Sequence, residues 1–134
     1  MTTKQIRNIA LLACAVTIAS CTQFSESTPK TVEGEWLCAE DHYEAGKQTY
    51  YIHIEYSDSN KKALKIQNFN NLSGYCSANI SGSTITIPKQ TIEKHVIVGS
   101  GSVSSDYKTI LFNYNDDIYG DGGGKVSATC SRKQ

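Results

Sequence analysis

From residue 33 onward, apolar residues recur at every second position in short runs separated by turn residues. No run keeps the spacing of an amphipathic helix, so the pattern predicts strands. Glu35 opens the first, with Trp36 and Cys38 on one face. Tyr50, Ile52, Ile54 and Tyr56 line one face of the second, and Tyr51, His53 and Glu55 line the other. Asp58-Ser59-Asn60 turns the chain, Leu64 and Ile66 mark a third strand, and residues 70–74 read as a loop. Cys76, Ala78 and Ile80 mark a fourth, followed by a Ser81-Gly82 hairpin signal. Ile85 and Ile87 face inward on a fifth, which Pro88 should close because it has no N–H for a ladder. Residues 93–98 give a sixth strand, with Gly99-Ser100-Gly101 as the turn after it. Ile110, Phe112 and Tyr114 mark a seventh, and Val126, Ala128 and Cys130 mark the last. The expected fold is all-β: an eight-stranded antiparallel meander closing into a small barrel, with a β-sandwich as the alternative.

Ahead of this domain the pattern changes. Lys4 and Arg7 precede an apolar stretch from Ile9 to Ile18. It is too short to span a bilayer core of roughly 30 Å, and it has the flanks of a secretory signal. The stretch ends in Ile18-Ala19-Ser20-Cys21, which resembles the bacterial lipobox. The resemblance implies cleavage before Cys21 and a diacylglycerol on its thiol, so that more than one acyl chain anchors the protein stably. Residues 21–32 then form a Ser/Thr-rich tether, which gives three segments: a signal peptide at 1–20, the lipidated tether at 21–32 and the β domain at 33–134. Thr22 after the cysteine, set against enterobacterial sorting rules, implies a cell-envelope protein of the outer membrane.

The domain opens with Gly34-x-Trp36, which resembles the first-strand signature of lipocalins and other calycins. In that family a basic side chain near the end of the last strand packs over the tryptophan. Arg132 stands in the matching place, so Trp36 and Arg132 are the expected barrel-closing pair. The stretch from Ile80 to Gln90 is also similar to small lipoproteins of Bacteroidota-type bacteria with barrel-like domains.

Charge narrows the function classes. The 134 residues carry 13 basic and 13 acidic side chains, and 11 basic and 13 acidic ones remain from Cys21 onward. The group Lys61, Lys62 and Lys65 is the only basic cluster, so nucleic acid is not an expected partner. Of five cysteines, Cys14 leaves with the signal and Cys21 takes lipid, which leaves Cys38, Cys76 and Cys130 facing inward. Buried free thiols are the plainer expectation. A disulfide between Cys38 and Cys130 is the alternative if the first strand pairs with the last.

No motif points to catalysis, a metal or another cofactor. His42, His53 and His95 lack metal-ligand spacing, and a solvated position is expected for His53. Asn115, Asp117 and Gly120 match the first half of a calcium loop, but Val126 stands where the closing Glu is needed. Among eight tyrosines, Tyr50, Tyr56 and Tyr114 are expected in the core and Tyr51, Tyr107 and Tyr119 on the surface. Ser100–Ser104 is a poor match to the loop of hydrolase inhibitors such as those of lysozyme. The expected protein is therefore a membrane-anchored, non-enzymatic binding domain for a protein, glycan or small apolar ligand. A lipocalin-like carrier and a hydrolase inhibitor are the alternatives.

Overall fold

A computed structural model describes residues 29–134. The signal segment, the lipobox and Cys21 lie outside these residues. Eight strands follow one another: β1 (Gly34–His42), β2 (Gly46–Tyr56), β3 (Ala63–Gln67), β4 (Tyr75–Ser81), β5 (Thr84–Ile92), β6 (His95–Val103), β7 (Thr109–Asp117) and β8 (Gly124–Arg132). Each pairs antiparallel with the next, and β8 pairs back onto β1, so the sheet is a closed barrel. The meander expected from the sequence is the observed fold, and the sandwich alternative falls.

An up-and-down barrel has two distinct ends. The turns after β1, β3, β5 and β7 gather at one, here called the loop end. The turns after β2, β4 and β6 gather at the other with the entering and leaving chain, here called the seam end. At the seam end the Arg132 guanidinium lies 4.4 Å from the centre of the Trp36 ring. It donates to the carbonyls of Tyr107 and Glu33 at 2.7 Å, and to that of Thr31. The Trp36 indole N–H donates to Val32 O at 3.0 Å. The expected closing pair is therefore present, and it fastens the incoming chain as well as the two strands. Val32 is fully buried, so the packed domain begins ahead of residue 33.

Inward side chains fill the barrel. Trp36, Phe69, Phe112, Ile52, Ile54, Leu64, Ile66, Ile85 and Ile110 are all essentially inaccessible. Phe69 comes from the turn after β3 and plugs the loop end, its ring edge-on to Phe112 at 5.3 Å. It works as a lid of the apolar core because the left-handed backbone at Asn68 and Asn70 folds the turn back over the barrel mouth. Asparagine tolerates that region better than most residues.

Several expectations need correction. Pro88 does not end β5: the strand continues to Ile92 past a register shift between Ile87 and Gln90, a bulge that accommodates a residue without an N–H. The turn into β6 is at Glu93–Lys94, and Gly99-Ser100-Gly101 lies within β6. Gly99 pairs with Tyr114 and Gly101 with Phe112. A methyl group at Gly99 would come within 2.5 Å of Tyr114 Cα, and one at Gly101 within 2.7 Å of the Phe112 ring. These glycines make room for aromatic neighbours; they do not mark a turn. Lys65 sits beside Glu55 and over the Tyr75 ring, on a sheet that has no free edge.

Cys38 and Cys130 face each other across the β1–β8 pairing and form a disulfide, against the plainer expectation of free thiols. Ring closure brings together two residues that are 92 positions apart in the chain. Cys76 is the free cysteine of the described residues, and burial pushes its thiol up to about 12. Tyr107, expected on the surface, is half-buried and packs against the core near Arg132. Tyr56, expected in the core, is likewise half-buried, whereas Tyr50 and Tyr114 are buried as expected.

Candidate functional site

The inward rows of the barrel change character along its axis. On β1 the row runs Trp36, Cys38, Glu40, His42, and on β7 it runs Ile110, Phe112, Tyr114, Asp116. Both begin apolar at the seam end and finish polar at the loop end. Glu40, His42 and Asp116 from these rows, with Asn70 from the turn after β3, are the buried polar or charged residues among those described, and they belong to one hydrogen-bonded cluster.

Asp116 is the centre of that cluster. Its Oδ2 accepts from Asn70 Nδ2 at 2.8 Å and from His42 Nε2 at 2.9 Å, and His95 Nδ1 lies 2.9 Å from both carboxylate oxygens. Burial alone would raise the Asp116 pKa, but the hydrogen bonds from His42, Asn70 and His95 outweigh it and hold the carboxyl below its ordinary value. His42 Nδ1 accepts the backbone N–H groups of Glu44 at 3.1 Å and Ala45 at 3.2 Å. This makes Nε2 the nitrogen that donates to Asp116. For His95 the proton on Nδ1 faces Asp116, and Nε2 is the remaining ring nitrogen.

Glu40 forms the second half of the cluster. It accepts the Tyr50 hydroxyl, the Tyr114 hydroxyl at 2.6 Å and Gln48 Nε2 at 2.7 Å. The Tyr114 oxygen also lies 2.8 Å from Asn70 Oδ1, which joins the two halves. Burial and the neighbouring Glu40 charge push the Tyr50 phenol well up; burial, Tyr50 and Glu40 do the same to Tyr114. Both phenols therefore keep their protons and donate to the Glu40 carboxyl group. Among the described residues, no buried side-chain nitrogen or oxygen lacks a hydrogen-bond partner.

Above this cluster lies an open cleft of about 370 Å³, lined by His42, Glu44, Gln48, Asn70, Asn71 and His95 with the apolar Ala45, Leu72 and Ile118. Its volume lies within the range of small-ligand sites. The arrangement offers oriented hydrogen-bonding groups at the rim of a packed barrel.

Of the site residues singled out from sequence, Trp36, Arg132, Cys38 and Cys130 all stand at the seam and belong to barrel closure. Ile18, Ala19, Ser20 and Cys21 lie outside the described residues. His53 is exposed on the outer wall, as expected, whereas His42 and His95 converge on Asp116. Asp117 accepts the backbone N–H groups of Tyr119, Gly120 and Gly122, and Asn115 donates to Gly122 O. Those contacts brace the loop from within. Among the described residues, no group of three or more His, Cys, Asp or Glu is arranged to hold a metal ion.

The polar cluster was missed by sequence reading, yet a signal for it existed. Continuing the inward parity of Trp36 and Cys38 by two steps reaches Glu40 and His42. Doing the same from Ile110, Phe112 and Tyr114 reaches Asp116.

No family model matches the chain, and no curated protein matches it at a significant level. Among solved structures, a redesigned β-barrel is similar over 77% of this chain and 92% of its own, at 16% identity and a TM-score of 0.53. That likeness concerns the barrel fold alone.

Proposed function

We propose that the protein is a lipid-anchored cell-envelope protein whose barrel is a non-catalytic binding module. The observation that carries this reading is the separation of its two ends. The incoming chain is fastened under Trp36 and Arg132 at the seam end, and the polar cleft opens at the loop end. A chain tethered through Cys21 would hold its seam end toward the membrane and present the cleft away from it. A cluster with all its buried polar atoms satisfied is a rigid platform, suited to recognition by the rim groups around it.

The alternatives have less support. The barrel interior is filled by its own side chains, which leaves little room for a carried apolar ligand. The Ser100–Ser104 stretch of an inhibitor-like loop lies mostly in β6, which runs to Val103.

Two measurements test the reading. Cys21→Ala should abolish palmitate labelling and release or trap the precursor, whereas Cys38→Ala should leave labelling intact. A photo-crosslinking residue in place of Asn71, at the loop end, should capture a specific envelope component. The same residue in place of Ser105, at the seam end, should not. Persistent labelling of Cys21→Ala overturns the anchor, and equal capture from both positions overturns the binding face.

A further inference from the structure

The polar groups around the cleft are already partly committed, and what they leave uncommitted has a chemical sense. Both nitrogens of His42 are used, by Asp116 and by the backbone of Glu44 and Ala45. Asn70 gives its Nδ2 to Asp116, and its Oδ1 is buried 2.8 Å from the Tyr114 hydroxyl. Gln48 gives its Nε2 to Glu40 and keeps its carbonyl oxygen. His95 is held through Nδ1 and keeps Nε2, on a side chain that is 20% exposed and lines the cleft. The exposed Glu44 carboxylate is a third uncommitted acceptor. The donors left over are the Asn71 amide and the second Nε2 hydrogen of Gln48.

Charge points the same way. Glu40 and Asp116 are buried beneath the cleft, and neither touches a lysine or arginine among the described residues. Their partners are phenols, amides and imidazoles. Two buried carboxylates with no lysine or arginine against them leave a negative field at the opening, strengthened by Glu44. A phosphate or carboxylate ligand would meet that field unfavourably. A neutral sugar would use the acceptors but would not answer the charge.

We infer that the loop-end cleft binds a primary ammonium group, accepted by His95 Nε2, the Gln48 carbonyl and the Glu44 carboxylate, with its alkyl stem against Leu72 and Ile118. The inference rests on the loop end being the binding face. Asp116 holds the His95 ring through Nδ1 so that Nε2 is turned to the ligand, and thus acts as a positioning residue.

The test is a nuclear magnetic resonance titration of the imidazole signals of the full chain. The probes are N-acetyl-lysine methylamide for a peptide source, glucosamine for a sugar source and glucose as the neutral control. A saturable millimolar shift of the His95 signal by at least one amine, with none at His53 and none with glucose, is expected, and it should weaken with added salt. The stronger of the two amines identifies the source. Glu44→Gln, at an exposed position that leaves the core untouched, should weaken binding by about two- to fivefold. No shift with either amine, an equal shift with glucose, or unchanged binding by Glu44→Gln overturns the inference. If the amines fail while crosslinking from Asn71 still captures a component, the ligand chemistry is wrong and the binding face stands.

Discussion

Asp116 is the residue on which the loop end depends. It is fully buried, yet its carboxyl is held below its ordinary value by His42, Asn70 and His95 against the effect of burial. A group with a depressed folded-state pKa contributes stability that is fully present above its unfolded value. That contribution is lost as pH falls through the folded value. The relevant window opens at the ordinary Asp value of 3.8 and extends downward. Asp116→Asn should therefore cost about 1–3 kcal/mol at neutral pH, because His42 and His95 lose a charged acceptor. The deficit relative to the wild type should shrink as pH falls below about 3.8, as protonation removes the same interaction from the wild type. Urea unfolding of both proteins across that range measures it. A deficit that stays constant or grows as pH falls would mean that the charge of Asp116 is not what stabilises the cluster.

At the scale of the strand, β6 shows how an aromatic neighbour changes the meaning of a glycine. Gly99 lies opposite Tyr114, the residue whose hydroxyl links Glu40 to Asn70, and a side chain at Gly99 would collide with its backbone. Gly99→Val should cost about 1–3 kcal/mol by overpacking and displace the Tyr114 hydroxyl from Glu40. Thermal unfolding and the Tyr114 ring signals report the two effects; an unchanged melting temperature would show that β6 can move away. The run Gly99-Ser100-Gly101 reads as a turn because local composition says nothing about Phe112 and Tyr114 across the ladder. Strand parity, by contrast, is a local property. The alternation of Ile85 with Ile87 and of Val126 with Ala128 and Cys130 carries through into the barrel unchanged. The alternation on β1 also continues, but with Glu40 and His42 in the inward places, where an apolar pattern gives no mark. Their burial depends on partners that other strands supply, such as Asp116, 74 residues from His42. Only ring closure and register bring such partners within reach, so the inward places of Glu40, His42 and Asp116 are legible from parity and their mutual contacts are not.

For the whole molecule, closure is the property from which both ends derive. Seven residue pairs from Trp36↔Arg132 to His42↔Val126 join β1 to β8, and the seam lies between the Arg132 stack at one end and the Asp116 cluster at the other. The Cys38–Cys130 disulfide crosses that seam, tying residues 92 apart. A cross-link enclosing a loop of this length restricts the unfolded chain by on the order of 4 kcal/mol in the chain-entropy account, with measured losses of about 2–5 kcal/mol in small secreted domains. An oxidising envelope compartment would allow the bond to persist. Reduction of the wild-type protein and the double change Cys38→Ala with Cys130→Ala should then lower stability by similar amounts. Both should leave the β1–β8 ladder formed, because its hydrogen bonds and the Arg132 contacts do not depend on sulfur. Hydrogen exchange can separate these effects. Amides of β1 and β8 should lose protection in step with the global loss and remain slower than those of the turns. If instead β1 and β8 exchange freely while β3 to β6 stay protected, the disulfide alone holds the ring shut. The cleft would then be a property of the oxidised protein only, since Glu40 and His42 reach it from β1.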